Sequence, residues 1–222
     1  MRHPEQRTEL SRGLVGRDGD VELSPLGWEQ ASRLGCWLAA LPVHRRPDVV
    51  VCSPYVRARQ TWSRAAEAAA LLGVAYPAAS VDDRLCDRLM GELELLTPAM
   101  ISQRFPVEAA RLAADGGFSY RTPGGESFGD IARRLAAVLS EMNTRHVGRR
   151  VLVVAHDAVV VVMRHLIDGL GFDEIAVIVG TTPVANASIT RYDGIGGGLT
   201  LVEFATTTHL ESGKDDHAPV GE

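Results

Sequence analysis

An arginine and a histidine each follow a short apolar run, in positions from which both could bind an anion. Arg57 comes shortly after the run Val49–Cys52, and His156 comes directly after the run Val151–Ala155. Such runs are typical of strands buried in a parallel sheet, and ligands bind beyond the carboxyl ends of those strands. The sequence therefore predicts that Arg57 and His156 lie at the same edge of one sheet.

A second arginine–histidine pair and two carboxylates could complete a site for a phosphoryl group. Arg2 and His3 would reach the same edge if a strand preceded them, and Asp87 and Asp157 are the nearby carboxylates. Two guanidinium groups and a histidine cation can neutralise and orient the equatorial oxygens of a phosphoryl group. A neutral imidazole could attack phosphorus, and a carboxylic acid could protonate the leaving oxygen. These residue types favour phosphoryl transfer.

Ser-Pro and Thr-Pro pairs mark the starts of helices that would cover this sheet. Ser24-Pro25 and Ser53-Pro54 each offer an N-cap hydroxyl followed by proline at the first helical position, where the missing N–H costs nothing. Thr97-Pro98 repeats the signal. The predicted helices run from Pro25 to about Ala40, from Pro54 to about Leu72, over a shorter stretch from Pro98, from Ser127 to about Met142 and from Asp157 to about Leu170.

The alternation of strands and helices predicts an α/β fold. We expect a three-layer sandwich with a mainly parallel central sheet and helices on both faces. Two further β-like runs, Ala187–Tyr192 and Leu199–Phe204, would be joined by a turn around Gly194–Gly198. The length of 222 residues fits a single domain. We assign that domain to residues 1–205 and a flexible C-terminal tail to residues 206–222.

Composition and charge exclude several functional classes. A net charge of −5 argues against binding to nucleic acid or an anionic membrane. No stretch approaches the about 18 apolar residues that cross a bilayer, and the first residues lack the apolar core of a secretion signal. We therefore expect a cytoplasmic protein. Its three cysteines are an odd number without paired spacing, which is typical of reduced thiols and not of a disulfide framework or zinc site.

Seven segments, in this order, resemble the histidine phosphatase superfamily, also called the phosphoglycerate-mutase-like family. Together they cover residues 2–204. The segments are Arg2-His3, Ser24-Pro25-Leu26-Gly27-Trp28-Glu29-Gln30-Ala31, Ser53-Pro54-Tyr55-Val56-Arg57-Ala58-Arg59-Gln60-Thr61, Arg84-Leu85-Cys86-Asp87, Pro123-Gly124-Gly125-Glu126-Ser127, Val154-Ala155-His156 and Asn186-Ala187-Ser188-Ile189.

This resemblance implies a phosphohistidine mechanism that needs no metal or cofactor. His3 matches the nucleophile that takes the phosphoryl group. Arg2, Arg57 and His156 match the phosphate pocket that stabilises the transferring group. Asp87 falls where most members carry a glutamate that donates a proton. Hydrolysis of the phosphohistidine by water would give net phosphomonoester hydrolysis, with a small phosphorylated metabolite as substrate.

Asp157 is the alternative proton donor. It directly follows His156, and one branch of the superfamily uses such a His-Asp pair. Asp87 is favoured because the Arg-Leu-x-acid context around it matches the larger branch. Two other positions depart from the family pattern, since Pro4 replaces the usual glycine and Glu9 stands where many members place asparagine.

The resemblance also implies that the first strand is truncated. In the family the nucleophile terminates a central strand, yet only Met1 precedes Arg2-His3. We expect either a mis-assigned start codon or a deliberately shortened chain, with roughly four to six strand residues missing upstream.

Two other functions stay open at this point. The first is a phosphoglycerate-type mutase, and the second is a weakly catalytic, phosphate-binding regulatory protein. A homodimer is also open, because dimers are the commonest oligomers. Residues from about 91 to 123 would form a cap or insertion over the pocket. Arg104, Arg111 and Arg121 in that cap could bind an acidic substrate, whereas its Met and Phe side chains could bind an apolar one.

Overall fold

The structure is a computed structural model that describes residues 17–195 and 198–211. Arg2, His3 and the truncated strand predicted before them lie outside these residues, as do Pro4, Glu9 and most of the predicted tail. The helices are α1 (Pro25–Ala40), α2 (Val56–Leu71), α3 (Pro98–Arg104), α4 (Pro106–Ser119), α5 (Phe128–Arg145), α6 (Asp157–Asp168) and α7 (Phe172–Thr181). The strands are β1 (Val49–Cys52), β2 (Ser80–Val81), β3 (Val151–Val154), β4 (Ile189–Ile195) and β5 (Gly198–Thr206).

Strands β1, β2 and β3 form a parallel sheet in the order β2-β1-β3. Cys52 at the end of β1 pairs with Val81 of β2 and with Val154 of β3. All three strands therefore end at the same level, and the residues that follow them emerge side by side. Strands β4 and β5 form a separate antiparallel pair, which confirms the two β-like runs predicted near the end of the chain.

Side chains on the two faces of β1 enter two hydrophobic cores. Val50 and Cys52 pack with α1 and α2, including Leu38 and Trp62. Val51 points to the opposite face and packs with α5 and α6. This alternation follows from the period of two along a strand. The predicted α/β fold, with helices on both faces of a parallel sheet, is confirmed.

The start of α2 differs from the prediction at Ser53-Pro54. The helix begins at Val56, its N-cap residue is Tyr55, and no side chain caps it. Ser53 is fully buried, and its hydroxyl contacts the imidazole of His156 at 2.7 Å instead of a helical N–H. The prediction was wrong by two residues because the serine makes a long-range contact that a local capping pattern does not reveal.

Residues 91–123 contain α3 and α4 around a small core of their own, formed by Leu93, Ile101 and Tyr120. The segment begins at Gly91, where φ is +54° and a Cβ atom would lie 2.1 Å from the carbonyl oxygen of Pro123. Glycine is required here by both the left-handed backbone and the close approach. The two ends of the segment are thereby held together.

The residues directly after β5, which the sequence analysis assigns to a flexible tail, pack against α1. Thr208–Leu210 form a 3-10 turn, and His209 is buried beside the ring of Trp37 on α1. Arg33 of α1 donates a hydrogen bond to the carbonyl of Leu210. Residues 212–222 lie outside the described residues. Among the helices that the structure describes, none is long and apolar enough to cross a membrane.

Candidate active site

The carboxyl ends of the three parallel strands hold a buried polar cluster. Ser53 follows β1, Arg57 lies in the first turn of α2, Asp87 follows β2 and His156 follows β3. None of the four is more than 2% exposed. Buried polar and charged side chains are costly unless they are paired. Their accumulation at the edge predicted to bind a ligand marks this edge as the candidate site.

His156 is held on three sides. Its Nε2 lies 2.7 Å from the hydroxyl of Ser53, and its Nδ1 lies 3.8 Å from Oδ2 of Asp87. The Tyr55 ring packs against the imidazole with the ring centres 4.9 Å apart. These contacts fix the orientation of the ring, which is what a residue that must meet a ligand at a set position requires.

Arg57 bridges two carboxylates. Its Nη1 donates to the carbonyl oxygen of Asp18 at 2.7 Å and to Oδ1 of Asp18 at 3.3 Å. Its Nη2 donates to Oδ2 of Asp18 and to Oδ2 of Asp87, both at 3.1 Å. The guanidinium group also lies 4.8 Å from the centre of the Tyr55 ring. Nε is buried and has no hydrogen-bond partner among residues 17–195 and 198–211.

Asp18 is a site residue that the sequence analysis missed. It belongs to the 3-10 turn Asp18–Asp20, is 6% exposed and accepts hydrogen bonds from Arg57 through its carbonyl and its carboxylate. Its N–H donates to Oε1 of Glu94 at 2.6 Å, which ties the turn to the segment 91–123. The Nη atoms of Arg57 are thus taken up by Asp18 and Asp87. No local motif marks Asp18, because its role depends on a side chain 39 positions away.

The loop that carries Asp87 is held by the glycine-rich segment before α5. Glu126 forms an ion pair with Arg134 at 2.9 Å and accepts a hydrogen bond from the N–H of Leu89. Arg134 donates in turn to the carbonyl of Asp87 at 3.2 Å. Glu126 thus holds the backbone of this loop and, through Arg134, helps to position Asp87.

The alternative proton donor Asp157 occupies a different place. It is the first residue of α6, and its Oδ1 accepts a hydrogen bond from the N–H of Ala158 at 2.9 Å. Asp157 also lines a mainly apolar cavity beside the cluster. Within the described part of the chain, the structure pairs Arg57 with Asp87 and Asp18 and not with Asp157.

Cys52 precedes the site but is not suited to nucleophilic attack. The thiol is 1% exposed, and burial raises its pKa to about 12. A thiol with that pKa stays protonated at neutral pH, whereas the thiolate is the reactive form. The spacing agrees, because a cysteine phosphatase needs five residues between its cysteine and arginine, and four separate Cys52 from Arg57. Arg59, on the same helix as Arg57, is exposed.

The structure brings together Arg57, Asp87 and His156 of the residues predicted from sequence. Arg2 and His3 belong to the residues that it does not describe. Within residues 17–195 and 198–211 there is no group of three or more His, Cys, Asp or Glu side chains arranged to hold a metal ion. The described cluster is thus a buried guanidinium and imidazole beside a carboxylate, which is suited to binding a phosphoryl group.

Comparison with known families identifies the class of this protein. The model of the histidine phosphatase superfamily, branch 1, matches residues 1–207, and the chain belongs to this superfamily. The match includes every residue of the buried cluster.

Curated relatives share this region as part of longer proteins. The bifunctional protein Rv2228c of Mycobacterium tuberculosis is 35% identical over 158 residues, which are 70% of this chain and 40% of that protein. The human 6-phosphofructo-2-kinase/fructose-2,6-bisphosphatase 4 is 31% identical over 158 residues, which are 71% of this chain and 30% of that protein. The chain therefore spans less than half the length of these relatives.

Solved structures with the same fold include phosphatases. The mycobacterial glucosyl-3-phosphoglycerate phosphatase Rv2419c, in complex with inorganic phosphate, matches with a TM-score of 0.70 and 25% identity, over 88% of this chain and 92% of that one. Its complex with VO3 matches with a TM-score of 0.71 and 26% identity, over 90% and 94%. Bacillus stearothermophilus YhfR, with a TM-score of 0.73 over 91% and 93%, is 23% identical and shows the shared fold alone.

Proposed function

We propose that this protein is a metal-independent phosphomonoesterase that acts on a small phosphorylated metabolite through a phosphohistidine intermediate. The observation that carries the proposal is the buried cluster of Arg57, Asp87 and His156 at the carboxyl edge of the sheet, in a chain of the histidine phosphatase superfamily. The structures of the glucosyl-3-phosphoglycerate phosphatase with phosphate and with VO3 support it, since that protein has the same fold and binds these anions.

The proposed reaction has two steps. A ring nitrogen of His3 attacks phosphorus, the bond from phosphorus to the ester oxygen breaks, and the carboxylic acid of Asp87 gives its proton to the leaving oxygen. Water then attacks the phosphohistidine, the Asp87 carboxylate takes a proton from that water, and the phosphorus–nitrogen bond breaks to release inorganic phosphate. Arg2, Arg57 and His156 hold the equatorial oxygens and stabilise the charge that develops on them.

The segment 91–123 has the role of a cap in this proposal. Its Glu94 accepts the hydrogen bond from the N–H of Asp18, and Asp18 in turn contacts Arg57. The cap is thus connected to Arg57 through Asp18, and from this position it can restrict access to the site.

The first prediction concerns phosphate release. We expect the protein to hydrolyse 4-nitrophenyl phosphate at the same rate with and without EDTA, because every group in the proposed scheme is a side chain. We also expect no isomerisation of 3-phosphoglycerate. Colorimetric phosphate release and an enzyme-coupled mutase assay measure the two activities. Loss of activity in EDTA that is restored by a divalent cation would refute the metal-free scheme, and phosphate binding without any phosphate release would favour the regulatory alternative.

The second prediction separates Asp87 from Asp157 as the proton donor. Asp87→Asn is expected to lower the single-turnover rate for phenyl phosphate, a substrate with a poor leaving group, by about 10²–10⁴-fold. The loss should be much smaller for 4-nitrophenyl phosphate, whose leaving group needs no proton. In Asp157→Asn, the ratio of the rates for 4-nitrophenyl phosphate and phenyl phosphate should stay as it is in the wild type. If this ratio instead rises in Asp157→Asn and not in Asp87→Asn, Asp157 is the proton donor.

A further inference from the structure

A small apolar cavity lies at the same edge of the sheet as the buried cluster. It measures about 200 Å³ and lies between the first turn of α6, the ends of α4 and α7, the start of α5 and the loop before β4. Of the eight residues that line it in the described part of the chain, seven are apolar and one, Asp157, carries a charge. The apolar walls include Phe118, Phe128, Val161 and Val184.

The aromatic wall of this cavity is built by the end of the segment 91–123. The α4 helix is kinked at Gly116, where φ is 76° and ψ is 153°, a conformation that glycine adopts without strain. Two residues later, Phe118 packs on Phe128 with ring centres 4.6 Å apart and on Phe172 at 5.6 Å. Because the rings pack against one another, the aromatic wall does not need a ligand in order to form.

A covalent link on one side and a pair of contacts on the other place the cavity next to the proposed phosphoryl site. Asp157, on the cavity wall, directly follows His156. On the other side, the guanidinium of Arg88 lies 4.9 Å from the centre of the Phe128 ring, and the N–H of Arg88 donates to Oδ1 of Asp87 at 2.8 Å. A phosphoryl group bound next to His156 and Asp87 would have its leaving group near this cavity.

The arginines that could have recruited an acidic substrate do not line the cavity. Arg111 forms an ion pair with Glu108 at 3.0 Å, and Arg121 forms one with Asp130. Of the described residues that line the cavity, Asp157 is the charged one. A second anionic group on the substrate would therefore lose its hydration among apolar side chains, close to a like charge. The nearby guanidinium of Arg88 already donates hydrogen bonds to three backbone carbonyls, those of Glu126, Gly117 and Tyr120.

We infer that this cavity binds the leaving group of the substrate and selects phosphomonoesters of uncharged, mainly apolar alcohols. An apolar cavity of about 150 Å³ is sufficient to bind benzene, so a volume of about 200 Å³ fits one six-membered ring with a small substituent. Sugar bisphosphates and phosphorylated carboxylic acids, including 3-phosphoglycerate, are disfavoured. The inference rests on the proposed function, since that places the phosphoryl group beside the cavity.

Binding of two phosphonates, which the protein cannot hydrolyse, tests the cavity without requiring turnover. We expect phenylphosphonate to bind at least about tenfold more tightly than 4-carboxyphenylphosphonate, because the carboxylate must be buried among apolar side chains. Val184→Arg, in the half-buried loop on the cavity wall, should weaken phenylphosphonate binding by about tenfold and abolish the preference. Val177→Arg on α7 is the control, because Val177 is 69% exposed and does not line the cavity. Isothermal titration calorimetry of the wild type and both variants with each phosphonate measures all six combinations.

The outcomes distinguish this inference from the proposed function. Equal affinity of the wild type for the two phosphonates would overturn the inference even if 4-nitrophenyl phosphate is hydrolysed. The inference that the cavity binds the leaving group is supported if the wild type and Val177→Arg clearly prefer phenylphosphonate and Val184→Arg does not. This holds even if no phosphomonoester is hydrolysed and the proposed function fails. If Val184→Arg does not fold, the affinities of the wild type for the two phosphonates still test the inference.

Discussion

Replacing Arg57 with alanine is expected to lower kcat/KM for 4-nitrophenyl phosphate by about 10³-fold. The guanidinium is the buried cation of the described site, and a cation that meets the equatorial phosphoryl oxygens stabilises charge that develops in the transition state. Arg57→Lys should recover part of the loss, because it restores the charge but cannot bridge two carboxylates. Steady-state kinetics that separate kcat from KM measure both variants.

Loss of Arg57 will also affect stability, so the kinetic result needs a control. Alanine removes the partner that Asp18 and Asp87 share while both carboxylates stay buried. Breaking a buried ion pair in this way lowers the free energy of unfolding by about 3–5 kcal/mol. Thermal unfolding followed by circular dichroism shows the temperature range in which each variant is folded. Arg59→Ala is the matched control, since Arg59 lies two residues further along the same helix and is exposed. A folded Arg57→Lys or Arg57→Ala with wild-type kcat/KM would exclude Arg57 from the reaction.

Replacing His3 with alanine is expected to lower kcat by at least about 10⁴-fold, since removal of a catalytic nucleophile eliminates the covalent step altogether. KM should change much less, because the pocket that binds the phosphoryl group is unaltered. His44→Ala is the control, because His44 is exposed and lies outside the cluster. Retention of wild-type kcat by His3→Ala would show that another group attacks phosphorus.

The strands and the edge at which they meet could be predicted from the sequence, because each strand is a continuous apolar run followed by polar residues. The run Val49–Cys52 is predicted with the bounds that the structure has, and the run that ends at Val154 is one residue shorter than predicted. The approach of Arg57, Asp87 and His156 then follows from the parallel register of β1, β2 and β3.

Contacts between distant parts of the chain could not be predicted in this way. Ser53-Pro54 has the local pattern of a helix start, yet the serine hydroxyl contacts His156, 103 positions away. Asp18 has no local pattern at all, and only the fold shows that it shares Arg57 with Asp87. Helices α4 and α7 were not predicted; Phe105 and Gly171 precede them, and neither offers a capping hydroxyl.

The choice between an acidic and an apolar substrate could not be made from composition either. The segment 91–123 contains both arginines and aromatic residues. The structure separates them, since Arg111 forms an ion pair with Glu108 while Phe118 faces the cavity. This separation depends on the kink at Gly116 and on packing between α4 and α5, neither of which a sequence pattern specifies.

Trapping of the covalent intermediate tests the central claim most directly. Rapid quenching of the protein during turnover of a phosphomonoester labelled with ³²P, followed by peptide mapping, should find label on the peptide that contains His3. The label should be acid-labile and stable in alkali, and it should be absent from His3→Ala. Label on another residue, or turnover without any protein-bound label at a time resolution that captures the first cycle, would contradict the phosphohistidine mechanism.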